Sequence, residues 1–153
     1  MARISYIDNM ESWQRSFRFF YPVTVRFGEI DMFGHLNNTV PIAYFEAARI
    51  EYFNDLGFMQ RWVDSTNKTI IVAADIQCDY IKQVYYKEQL KIYVKPARLG
   101  NSSVDLHYMG KRENGEVVFT GRGTIVQISR STGKAVAWSD EMREIYQAKE
   151  YIE

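Results

Sequence analysis

The chain has 153 residues, 46% of them hydrophobic, enough for one domain with its own core and too few for two comfortable ones. Its 19 basic and 19 acidic residues cancel, so there is no global field to draw nucleic acid, and a nucleic-acid partner is not expected. The lone cysteine, Cys78, forbids an internal disulfide, and no run is apolar enough for a membrane span or a secretory leader; the expectation is a soluble cytoplasmic protein with no membrane partner.

Residues 1–15 are polar and mixed and accommodate a short helix, and residues 1–20 read as an N-terminal extension. Residues 17–27 carry the aromatic and β-branched composition of a strand, and Pro22, which cannot donate to a ladder, places that strand at a sheet edge. Over residues 41–56, Ile42, Phe45, Tyr52, Phe53 and Leu56 share one helical face, with Glu51, Asn54 and Asp55 opposite. Pro41 is tolerated in a first turn, so the helix begins near Asn38 or Thr39, either able to cap it, and Gly57 stops it. Four strand-like segments follow, with no further helix until the end of the chain. Ile76, Cys78 and Tyr80 form the first, Leu90, Ile92 and Val94 the second, Val104, Leu106 and Tyr108 the third, and residues 117–128 the fourth. Turn signals fall at Leu99-Gly100-Asn101, at Glu113-Asn114-Gly115, which reads as a hairpin, and at Ser131-Thr132-Gly133; residues 139–151 suit a short terminal helix. One helix followed by antiparallel strands is an α+β pattern, a curved antiparallel sheet of about five strands wrapped around one long central helix. Such a sheet leaves an edge strand and one face open, and eleven tyrosines and nine phenylalanines suit a buried interface, so an obligate dimer is expected.

The most informative stretch is residues 31–38, Asp-Met-Phe-Gly-His-Leu-Asn-Asn, between the first strand and the helix. A helix N-terminus carries partial positive charge and unpaired N–H groups, so a carboxylate facing one can attack or hydrate an acyl group whose oxygen those donors hold. Asp31 in such a loop equally suits an Asx turn or a cap. Gly34 supplies a positive φ or leaves room for a ligand, His35 orients Asp31 or is structural, and Asn37 or Asn38 caps the helix. Arg49 falls within the apolar stripe and Glu46 at its margin, an i, i+3 pair able to neutralise itself. Other chemistries lack parts. There is no G-x-S-x-G elbow, P-loop or G-x-G-x-x-G, and without CxxC or HExxH no metal site is expected. Cys78 alternates with apolar neighbours, which suggests burial. Lys82, Lys87, Lys95, Arg98, Arg122 and Arg130 are scattered and read as a solvated face.

The pattern D-x-x-G-H-x-N-N, followed by Ala43-Tyr44-Phe45-Glu46-Ala47-Ala48-Arg49 and ending at Leu56-Gly57, resembles the hot dog-fold acyl-CoA thioesterases of the 4-hydroxybenzoyl-CoA thioesterase type. The match is densest over residues 23–57 and continues loosely to about Met142. The resemblance implies one hot dog domain over residues 1–153 that hydrolyses an acyl-CoA or acyl carrier protein thioester to free acid and thiol. Asp31 would be the catalytic carboxylate, as nucleophile or as general base on water, and amides at about Asn38 would hold the thioester oxygen. The acyl pocket would lie at a dimer interface, Gly34, His35 and Asn37 from one subunit meeting Ile71, Val72 and Ala73 from the other. That lining is wholly apolar and favours an aliphatic or aromatic acyl group. Glu46 and Arg49 would support the site by locking the helix to the Asp31 loop, with Glu46 as a second carboxylate the alternative. No cofactor is implied beyond the coenzyme A of the substrate, and the assembly would be a homodimer or a dimer of dimers. The same parts leave two rivals open, an enoyl-thioester hydratase pairing Asp31 with His35 and a non-catalytic acyl-CoA-binding protein.

Overall fold

The computed structural model describes residues 3–148. Its elements begin with helix α1 (Met10–Arg15), capped where the Asn9 side chain accepts from the Ser12 amide at 3.0 Å, and strand β1 (Phe19–Thr24). The strand stops short of Phe27, because the Val25 amide bonds to Glu88 in a loop and residues 27–29 close a 3₁₀ turn. Helix α2 (Val40–Asp55) follows, with Pro41 in its first turn and Gly57, at φ +81°, ending it. A helical turn that the pattern did not show, α3 (Met59–Val63), comes next; five residues are too few for a period to register, and Trp62 fixes the turn by packing edge-on against Phe53. The remaining strands are β2 (Thr69–Ala73), β3 (Gln77–Tyr80), β4 (Gln89–Leu99), β5 (Ser103–Arg112) and β6 (Val117–Ser129). Helix α4 (Asp140–Ala148) closes the described chain, and positions 149–151 of the expected terminal helix lie outside the described residues.

All pairings are antiparallel, in the order β1-β4-β5-β6-β2, so β1 with its Pro22 is an edge. β2 pairs with the far half of β6 and β3 with its near half, so the two lie end to end and six segments fill five lanes. The break between them is held by Asp75, whose Oδ1 accepts from the Thr124 amide at 2.7 Å while its carboxylate pairs with Arg122. Ile76 therefore sits in the break rather than in the strand.

The sheet curls around α2, the hot dog arrangement that the resemblance implied. Phe45 is wholly buried, stacked on Tyr108 with ring centroids 4.6 Å apart and edge-on to Phe119. Gly121 makes this possible, since a Cβ there would stand 2.3 Å from the Phe45 ring. Burying a ring of that size contributes about 1.5–3 kcal/mol. The buried stripe of α2 differs from the expected one. Ile42 is 39% exposed, and Tyr44 and Ala48 are buried in its stead, because Tyr44 is drawn inward by a hydrogen bond from its hydroxyl to Glu29 Oε1.

The far face of the sheet is partly covered, against the expectation of an open one. Ile4, Ile7, Trp13 and Phe17 pack onto Met109, with Tyr93 and Val117 beside them. His107, on the same face, accepts a hydrogen bond at Nδ1 from Trp13 Nε1 at 2.9 Å. These apolar residues follow no single period, so composition hid them. Among the described residues no helix is long and apolar enough to cross a membrane.

Candidate active site

The Asp31 loop is built by its own backbone. The Asp31 amide bonds to His35 O at 2.8 Å, the Gly34 amide returns to Asp31 O, and Asp31 Oδ1 accepts from the amides of Phe33 (2.8 Å) and His35 (3.2 Å). The Asx-turn role is therefore real and uses one carboxylate oxygen. The other takes no hydrogen bond from the described residues. Gly34 has φ +83°, a backbone conformation that favours glycine, and a Cβ there would meet no protein atom within 4 Å.

The loop is tied to the helix through Glu29. Its carbonyl accepts from the Asn37 amide and its carboxylate from Tyr44; burial and that carboxylate push the Tyr44 hydroxyl pKa up. Thr39 stands at the N-cap of α2 without a side-chain cap bond, and Asn37 closes an Asx turn just before the helix: its Oδ1 accepts from both the amide and the hydroxyl of Thr39. The amides from Leu36 to Val40 are thereby engaged with one exception. Leu36 bonds to Val84 O, Asn37 to Glu29 O, Thr39 to the Asn37 side chain and Val40 to Asn37 O, while the Asn38 amide has no acceptor among the described residues.

Asp31, His35 and Asn38 line one cleft of about 350 Å³, and Tyr80, Val84 and Phe119 face them. Tyr80 donates its hydroxyl to the Asn38 carbonyl, clamping the start of α2 onto β3. Sequence reasoning placed Tyr80 on a strand but could not see this role, which depends on a residue 42 positions away. Leu36, Pro41 and Ile81 make the rest of the wall largely apolar, and Lys82 at its margin is paired with Glu116 at 2.6 Å.

Several expected participants stand elsewhere. Ile71, Val72 and Ala73 lie on β2 and do not line this cleft within the chain; neither do Gly34, Asn37, Glu46 or Arg49. The Glu46–Arg49 pair is present at 3.8 Å, but it does not lock the helix to the Asp31 loop. Arg49, 13% exposed at its side chain, reaches Tyr108 Oη at 3.2 Å and so ties α2 to β5, while Glu46 is 67% exposed. Cys78 is half-buried, and burial raises its thiol pKa to about 11, which leaves little thiolate. Among the described residues no three His, Cys, Asp or Glu side chains gather as a metal-binding set.

Comparison with known proteins agrees with this architecture. The uncharacterized protein YsmA of Bacillus subtilis (strain 168) is 50% identical over 142 residues, covering 92% of this chain and 93% of that one. Among solved structures, the PA5185 protein from Pseudomonas aeruginosa PAO1 superposes with a TM-score of 0.78 at 26% identity, covering 89% of this chain and 94% of its own. A thioesterase from Thermus thermophilus, complexed with coenzyme A and Zn, gives 0.74 at 28% identity, covering 88% and 96%. A family model for the thioesterase-like superfamily matches residues 25–145, which takes in the Asp31 loop, α2 and the whole of the sheet from β2 to β6. The chain belongs to that superfamily.

Proposed function

We propose that this protein hydrolyses the thioester of an acyl-CoA to the free acid and coenzyme A. The observation that carries the reading is one convergence: Asp31, with a carboxylate oxygen that accepts no hydrogen bond among the described residues, and Asn38, whose amide has no acceptor among them, line the same cleft at the start of α2. The thioester oxygen would accept from that amide, where the helix dipole adds to the stabilisation of developing negative charge. Asp31 then has two routes. As nucleophile it forms an acyl anhydride as the C–S bond breaks, and water cleaves the anhydride; as base it takes a proton from the attacking water, and the tetrahedral intermediate expels thiolate. The apolar wall of Leu36, Pro41, Val84 and Phe119 suits an aliphatic or aromatic acyl group. Coenzyme A as carrier is supported by its presence in the Thermus thioesterase.

The hydratase reading needs the His35 imidazole beside the Asp31 carboxylate. The imidazole instead packs edge-on against Tyr85, centroids 5.4 Å apart, and His35 meets Asp31 through its backbone alone. Thiol release over a panel of acyl-CoA and acyl carrier protein substrates, with enoyl-CoA hydration measured alongside, tests the assignment. Thiol release from apolar acyl groups is expected. Hydration without thiol release, or binding of acyl-CoA without turnover, would overturn it.

A further inference from the structure

A second cleft, of about 550 Å³, opens on the outer face of the sheet where β1, β4 and β5 end, and nothing in the proposed hydrolysis uses it. Lys91 and Lys111 are directly opposed across β4 and β5 and both line it. Like charges facing each other in this way destabilise a sheet. Two nearby arginines are balanced by carboxylates: Arg112 at the end of β5 pairs with Glu88 and Glu116, and Arg122 on β6 with Asp75 and Asp105. Neither lysine has a carboxylate within 4 Å among the described residues; Lys91 Nζ lies 4.8 Å from the centre of the Phe20 ring and Lys111 Nζ 5.7 Å from that of Tyr93. Aromatic faces hold ammonium groups weakly at exposed sites, by about 0.5–1 kcal/mol, so both remain available to an anion.

We propose that this cleft is a binding site for the phosphate groups of a nucleotide-bearing ligand, clamped between Lys91 and Lys111. A phosphate between the two ammoniums would form charge-assisted hydrogen bonds and cancel their repulsion. Arg112 supplies a fixed wall rather than a mobile cation, since its guanidinium also donates to Gln83 O at 2.7 Å. Gln83 in turn lines the Asp31 cleft, so this hydrogen bond joins a wall residue of each cleft. The phosphate source is either a free nucleotide or the nucleotide end of a coenzyme A thioester; the second source rests on the proposed hydrolysis, whereas the site itself does not.

Calorimetric titration of the full chain with inorganic pyrophosphate, ADP and coenzyme A at low salt tests the site without any catalytic step. Binding of pyrophosphate and ADP is expected, weakened about tenfold or more in the Lys91→Gln/Lys111→Gln variant and tightened in Glu113→Gln, which removes the carboxylate on the cleft rim. The double variant should melt no lower than wild type, because it removes a repulsive pair. In steady-state hydrolysis, a raised KM with unchanged kcat assigns the site to the thioester carrier, and an unchanged KM with lost ADP binding assigns it to a free nucleotide. Undiminished pyrophosphate and ADP binding by the double variant, or no binding of any of the three ligands by wild type, would overturn the proposal.

Discussion

In the loop before α2, Asp31 commits Oδ1 to the amides of Phe33 and His35. Two backbone donors restrain the carboxylate, so in the proposed hydrolysis its second oxygen needs no orienting histidine. The local parts of the site were legible because Asp31, Gly34, Asn37 and Asn38 act within one octet. Arg49 shows the limit: its charge within an apolar stripe was visible, but its partner Tyr108 is 59 residues away and known through the fold alone. Tyr108 is fully buried, and its hydroxyl loses its donor if Arg49 is removed. Arg49→Ala should therefore destabilise by about 1–3 kcal/mol while thiol release in the folded fraction stays near wild type. Chemical denaturation paired with kinetics checks this, and lost turnover at unchanged stability would place Arg49 in the chemistry.

At the scale of elements, α2 was readable from its period and from its stop at Gly57, and β4 to β6 from alternation. The β2–β3 break was not, because it depends on Asp75 meeting the Thr124 amide across the sheet. Nor was the packing of the N-terminal segment, whose bond from Trp13 to His107 spans 94 residues. That bond has a pH consequence. His107 is 7% exposed; burial, aided by Lys95 and Arg122, lowers its pKa to about 4 against the opposing pull of Asp105. With Trp13 donating to Nδ1, protonation there would set donor against donor. The folded pKa lies below the value of about 6.5 for a free imidazole, so the unfolded chain takes up the proton first. The stabilisation is complete above about pH 6.5 and is lost as the pH falls through 4, a change on the order of 3 kcal/mol. His107→Gln, which keeps an acceptor for Trp13, should flatten the melting profile between pH 6.5 and 5 relative to wild type. Identical slopes would show that His107 does not latch the segment.

For the whole molecule, the outer face is partly covered and the edge opposite β1 is the β2–β3 lane, where Val72 and Ile76 are exposed beside half-buried Ile71. An unpaired edge with apolar side chains is a template for a second chain. We propose that a second copy pairs there and brings its Ile71, Val72 and Ala73 to the Asp31 cleft, which the same residues do not reach within one chain. Turnover per chain should then fall on dilution in step with the dimer fraction from sedimentation; a fully active monomer would refute the shared pocket. The hydrolytic assignment itself meets its most direct test in the kcat of Asp31→Asn. The amide keeps the Oδ1 acceptor of the Asx turn, so the variant should fold and bind coenzyme A as wild type does while kcat drops about a hundredfold or more. Wild-type turnover in a folded Asp31→Asn protein would contradict the account.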